Sequence, residues 1–395
     1  MKSNYRYIVK AFMAMAVIAG TTSCDDFLDR EPMSSISPET YYSTAAQLEA
    51  NLNDEYPNVL PSFGQWTYGI FGEDKGTDNQ IEVNANDRYT QDRWKVPHSE
   101  SDNWKFERIY RINFFLSEAL PKFGEDMSGS QNTISGSVAT IKHYIGEMYF
   151  LRAYEYFKKL QLFGDFPIIN QPLADEMEAL REASKRFPRN EVARFIISDL
   201  DKAYAYMSDV DMATTRINKD VAMLVKSRVA LFEATWLQNF KGTAFVPGGE
   251  GWPGASLHNN YQYPSGNIDN EVKYFLEQAV EASKLVADKY KGSLTENTGV
   301  LQQSADDPSN PYFDMFAQED LSDVKEVLLW RQYARGLSTH NINAAAGRGN
   351  YRIGLTRGFV QNFLMKDGTP VYAHGSYADG DGYYMGDKTV ADVRV

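Results

Sequence analysis

Between Ser135 and Ile169 the chain reads SGSVATIKHYIGEMYFLRAYEYFKKLQLFGDFPII. Ile141, Tyr144, Ile145, Met148, Leu151, Tyr154 and Phe157 recur there at helical spacing and surround most of the circumference. A helix that is apolar on every side has no face to give to water, so it must be buried between neighbouring elements. Gly164 and Pro167 set its end. Any fold for this chain therefore buries this helix between its neighbours.

The flanking sequence supplies the neighbours. DNWKFERIYRINFFLSEALPKF places Trp104, Ile109, Ile112, Leu116 and Leu120 on a helical stripe, with Asp102 or Asn103 as the expected cap. PRNEVARFIISDLDKAYAYM aligns Val192, Phe195, Ile196, Leu200, Ala203 and Met207, with Asn190 as its cap. NKDVAMLVKSRVALFEATWLQNF aligns Val221, Leu224, Val225, Val229, Phe232 and Trp236, and NEVKYFLEQAVEASKLVADKY aligns Phe275, Leu276, Ala279, Val286 and Tyr290. Helices with one broad apolar stripe each have to stack on one another, which predicts a mainly α fold built as a helical-hairpin array. The spacing shows no fixed repeat.

Three long segments interrupt the array: residues 60–100, residues 241–267, and the part that starts with the β-branched run DVKEVLLW, predicted as a strand. Loops of such length are functional or disordered, and their aromatic content argues against disorder. The expected organisation is a leader over 1–23, a helical region over 24–240 carrying the 60–100 insertion, and a loop-rich region over 241–395. The last residues, YADGDGYYMGDKTVADVRV, close with no helix or cap, and the natural protein is expected to continue beyond them.

Lys2, Arg6 and Lys10 precede the apolar run AFMAMAVIAG, which has the form of a secretory signal. A membrane span needs roughly twenty apolar residues, so this run is too short to be one. The single cysteine, Cys24, follows Thr22 and Ser23. Two readings stand: a thiol beside an ordinary cleavage site, or a new N-terminus whose sulfur carries lipid. At about 0.8 kcal/mol per buried methylene, several acyl chains on one residue make a stable anchor.

The net charge of -13 and pI near 5.0 argue against nucleic acid as a partner. No phosphate-cradling GxxxxGK[ST], no GxSxG elbow and no HExxH occurs in the chain. His143 lies within the helix that is apolar all round, where a structural role is expected. Glu73, Asp74, Asp78 and Asp87 could be read as glycosidase carboxylates or as a solvated acidic loop, and the second reading is favoured. Asp379, Asp381 and Asp387 lack the closing glutamate of a calcium loop and read as a turn. No catalytic residue, metal or cofactor is expected.

The loops do carry a binding chemistry. Apolar C–H faces of sugars lie against indole and phenol rings, and their hydroxyls need amide, carboxylate and guanidinium partners at the rim. Trp66, Tyr68, Asp74, Asn79, Arg88 and Trp94 in the first loop, with Trp252, Tyr261 and Tyr263 in the second, have those types. Each aromatic could instead staple its loop to the helices.

Five segments in order, CDDFLDREP, GEMYFLRAYEYFKKLQLFGDFPII, NEVARFIISDLDKAYAYM, RINKDVAMLVKSRVALFEATW and LTRGFVQNFLMKDGTPVY, resemble the signature segments of SusD-like (RagB/SusD) lipoproteins of Bacteroidota. The resemblance implies tetratricopeptide-type helical hairpins, a few short strands and a loop-rich face that binds oligosaccharide. It further implies a surface-exposed outer-membrane lipoprotein anchored at Cys24, working with a SusC-like TonB-dependent transporter. Asp25 and Asp26 resemble the family's surface-export signal, whereas Thr21 stands where such leaders favour an aliphatic residue. Members of the family usually extend further than this chain does, in keeping with the expected continuation. A surface glycoside hydrolase and a protein- or peptide-binding adaptor are the alternative functions.

Overall fold

The computed structural model describes residues 41–63, 74–82, 103–208, 213–300, 304, 306–334, 336–337, 339–340, 353–365, 367–370, 373 and 393–394. Helix α1 (Ala45–Val59) opens with a reciprocal capping box between Thr44 and Gln47. Helix α2 spans Glu107–Phe123 and α3 spans Val138–Phe163. A short α4 (Met177–Ala183) leads to α5 (Arg189–Tyr206), α6 (Lys219–Asn239) and α7 (Ile268–Tyr290). Asn218 and Asn267 cap α6 and α7 through their side-chain oxygens. Two short helices follow, α8 (Pro311–Ala317) and α9 (Arg357–Gln361). The described strands are two small antiparallel pairs: β1 (Gln80–Glu82) with β2 (Ile353–Leu355), and β3 (Leu364–Met365) with β4 (Val393–Arg394).

The array is the mainly helical one that the stripes predict. Helix α3 packs against α1 and α2, and also against α5; α5 packs on α6, and α6 on α7. Every residue from 141 to 160 except Lys142, Tyr154 and Lys158 is buried, as a helix apolar all round requires. The approach of α5 is close: a Cβ on Gly146 would stand 3.0 Å from the Met207 side chain. Gly164 then stops α3 at a φ of 67°, a conformation that an L side chain rarely adopts.

Among the described residues, the charged side chains that enter this core are paired. Arg152 forks onto Asp199 at 2.7 and 2.9 Å and reaches Asn113 at 3.0 Å, which ties α2, α3 and α5 together. Arg189 forks onto Glu233 between α5 and α6, and Arg194 onto Glu271 between α5 and α7. Glu147 takes Arg216 and the Tyr56 hydroxyl, while His143 accepts from the Ser208 N–H and lies 3.0 Å from Glu147. His143 thus has the structural place expected of it. Such pairs contribute little net stability against apolar replacements, but each fits only one register of its two helices.

Four local expectations need correction. Helix α2 starts at Glu107 with Phe106 at its cap position and no side-chain cap bond, so Asn103 does not cap it, while Asp102 lies outside the described residues; Trp104 lies ahead of the helix, packed edge-on against Phe106, Phe163 and Phe166. Asn190 does not cap α5; it is buried and spends its amide on Tyr261 and Glu271. Leu224 and Leu276 are 43% and 37% exposed, because Ala222, Ala230, Ala234 and Ala282 let the helices approach along a neighbouring face. DVKEVLLW forms turns instead of a strand. It is bonded to the N-cap of α6 and to the turn before it in place of a partner strand: the Leu328 carbonyl accepts from the Asn218 amide, and the Trp330 N–H and indole donate to Thr214.

Candidate functional site

The 241–267 loop is laid back over the corner where α3 ends and α5 begins. Turns carry it through residues 240–251, and a single 3-10 turn, Pro253–Ser256, follows Trp252. Its attachment depends on Asp165, in the LFGDFP segment just past Gly164. Asp165 Oδ1 accepts the Arg189 backbone N–H at 2.9 Å, and Oδ2 accepts the Trp252 indole N–H at 2.7 Å. Burial pushes the Asp165 carboxyl up from the usual range, against the hydrogen bonds from Trp252 and Arg189.

Further contacts fix the loop. The Tyr261 hydroxyl exchanges hydrogen bonds with Asn190, and the Tyr263 hydroxyl donates to the Pro247 carbonyl at 2.7 Å. Burial raises the pKa of both phenols, so both remain neutral donors. Trp252 stacks on His258 and leans on Tyr261, and the His258 Nε2 sits 2.8 Å from the Arg186 carbonyl.

Between the loop and the corner lies a groove of about 520 Å³. Trp236, Phe245, Trp252 and Leu257 form its apolar wall, and Asp165, Arg186 and Arg189 its polar side. Trp252 is only 5% exposed, whereas Phe245 is 61% exposed at the rim. Trp236 is oriented by its indole, which donates to the Phe245 carbonyl at 3.0 Å, and Arg189 lies over its ring at 4.1 Å. A partly apolar concave surface with a few fixed polar groups is the usual form of a small-ligand site.

The sequence-predicted residues divide between two neighbourhoods. Trp252 lines the groove, and Tyr261 and Tyr263 brace the loop behind it. Asp74 and Asn79 sit in the turn before β1, where the Asn79 amide donates to Asp74 at 3.3 Å and the Asn79 carbonyl accepts from Thr356 at 2.9 Å. Trp66, Tyr68, Arg88 and Trp94 lie outside the described residues, as do Cys24, Glu73, Asp87, Asp379, Asp381 and Asp387. Among the described residues no group of three or more His, Cys, Asp or Glu could hold a metal, and no helix is long and apolar enough to cross a membrane.

Among the groove residues not anticipated are Asp165, Arg186, Arg189, Trp236, Phe245 and Leu257. For Asp165 a signal was present, since a carboxylate directly after a helix-ending glycine is well placed to receive a returning loop. Trp236 belongs to the core stripe of α6, and at the C-terminal end of that helix it also lines the groove.

Comparison with known proteins follows the same lines. A SusD-like family model, described as starch-binding and associating with the outer membrane, matches residues 26–231. Two SusD-like proteins of Formosa agariphila are each 25% identical, over 253 and 233 residues, or 61% and 54% of this chain and 46% and 41% of theirs. The chain thus spans less than half the length of these curated relatives. A SusD-like protein of Bacteroides fragilis has a TM-score of 0.54 at 18% identity, covering 89% of this chain and 58% of that one. A SusD-like carbohydrate binding protein of the same species gives 0.50 at 14% identity, covering 86% and 57%. At these identities the structural likeness shows the fold alone.

Proposed function

The chain belongs to the SusD-like family, and from that premise we propose that it is a non-catalytic, glycan-binding lipoprotein of the cell surface. In this reading Cys24 carries the lipid anchor in the outer membrane. The protein captures oligosaccharides and passes them to a SusC-like TonB-dependent transporter.

The observation that carries the reading is the groove under the 241–267 loop. Its rings are held by hydrogen bonds inside the protein before any ligand arrives, through Asp165 to Trp252 and through the Phe245 carbonyl to Trp236. A pre-formed apolar wall offers the C–H face of a sugar a surface without a large ordering cost. The exposed Phe245 side chain supplies the rim contact, and Trp252 the wall behind it. The first-loop residues Trp66, Tyr68, Asp74, Asn79, Arg88 and Trp94 belong to the proposal as a second ligand-contacting region. Affinity is expected to be modest, because an open groove recovers limited apolar area and the sugar must be released onward.

Isothermal titration with a panel of host and plant oligosaccharides, with product analysis of the same mixtures, tests this. Binding without turnover is the expected result. Product formation would replace the reading with a glycoside hydrolase, and absence of binding to every glycan would replace it with a peptide- or protein-binding adaptor. Phe245→Ala is the site test: its side chain is largely in solvent, so weakened binding with an unchanged unfolding midpoint is expected.

A further inference from the structure

A second groove, of about 470 Å³, adjoins the first: Leu162 lines both. Lys105, Arg108, Lys158 and Lys159 line this second groove, against the two carboxylates Glu107 and Glu155. In a chain with net charge -13, a cleft with a surplus of cations is a local inversion of sign. Glu155 is buried and already engaged by Lys158 and Lys159. Arg108 has no carboxylate within ion-pair distance among the described residues, nor does Arg186 in the first groove.

Arg186 stands next to the boundary of the two. Its guanidinium lies 4.6 Å over the Trp104 ring, and Asn103 and Lys105 on either side of Trp104 line the second groove. The other charges of the first groove are committed elsewhere, Asp165 to two N–H donors and Arg189 to Glu233. The positive charge left over across the pair of grooves is therefore that of Arg186 and Arg108. A guanidinium over an indole ring keeps N–H donors free for a planar acid or a sulfate.

We propose that the adjoining grooves select an acidic oligosaccharide, one sugar ring lying on the apolar wall and its carboxylate or sulfate held by Arg186, with the next acidic unit beside Arg108. This rests on the glycan-binding reading above and adds to it the charge class of the ligand.

The test compares tetragalacturonate and a heparin-derived tetrasaccharide with neutral maltotetraose by titration at low salt. At least one of the acidic probes is expected to bind roughly tenfold more tightly than maltotetraose, and that preference is expected to shrink as salt screens the charges. Which acidic probe it is separates a carboxylated from a sulfated ligand. The double variant Arg186→Gln, Arg108→Gln should bring the acidic-to-neutral ratio near one. Lys273→Gln, which lines neither groove, should leave the ratio as it is. Circular dichroism checks that both variants keep their helices. Binding of maltotetraose equal to that of both acidic probes, or a preference that survives the double variant, overturns this inference and leaves the glycan reading in place. Absence of binding to all three probes and to the wider panel overturns both.

Discussion

The Trp252 indole N–H meets Asp165 Oδ2 at 2.7 Å, joining two residues 87 positions apart in the chain. Asp165 also receives the first backbone N–H of α5, so one carboxylate fixes the end of α3, the start of α5 and the loop that walls the groove. Replacing it leaves two donors without an acceptor inside the protein.

Asp165→Ala should accordingly destabilise the protein by about 1–3 kcal/mol for each donor left buried and unpaired. Urea unfolding followed by tryptophan fluorescence measures this. A midpoint equal to that of the parent would mean that the loop is held by its other contacts alone.

Gly254 lies against the Trp252 ring, and a Cβ built on it would come within 2.2 Å of an indole carbon. Gly254→Ala should push the indole off its seat and weaken oligosaccharide binding, with little change in helical circular dichroism. Unaltered affinity would show that the position of Trp252 does not matter to ligand.

Glu271 gives a pH dependence with a definite sign. Burial raises its pKa, but hydrogen bonds from Arg194, Asn190 and Ser265 outweigh burial, and its carboxyl sits below the usual range. A group depressed in the folded state contributes stability that is complete above its ordinary pKa and is lost as pH falls through the folded value. The stability gap between parent and Glu271→Gln should be widest near neutral pH and narrow in acid. A gap that widens on acidification would contradict the assignment. Asp165 and Glu233, both pushed upward first of all by burial, work in the opposite direction: the charged form is the costly one, so their contribution declines as pH rises through the folded value.

Phe275 of α7 is fully buried in the core cluster. Phe275→Ala should cost about 3–5 kcal/mol, the transfer of a ring plus the cavity left behind. The same substitution at the exposed Phe316 should fall within about 0.5 kcal/mol of the parent. Thermal or denaturant unfolding of the pair separates a buried α7 from one that merely lies on the surface.

Helix existence, the burial of α3 and its stop at Gly164 were legible in the sequence, because burial of apolar surface follows helical periodicity and a glycine releases the backbone at a known cost. Caps were less legible. Asn190 has the chemistry of a cap, yet its amide does more for the structure by joining Tyr261 to Glu271, two residues far away in the chain. The run DVKEVLLW has the composition of a strand, but a strand needs a partner edge; its backbone instead makes a turn bond within the run and long-range bonds to Asn218 and Thr214.

Local pattern alone thus determined the long helices and the mainly α class of the fold, since apolar stripes and helix-ending turns act within a few residues. The groove was decided by tertiary structure. Asp165, Trp236 and Trp252 converge only when three distant segments are packed together, and whether a ring faces ligand or braces a loop depends on where its N–H or O–H finds an acceptor.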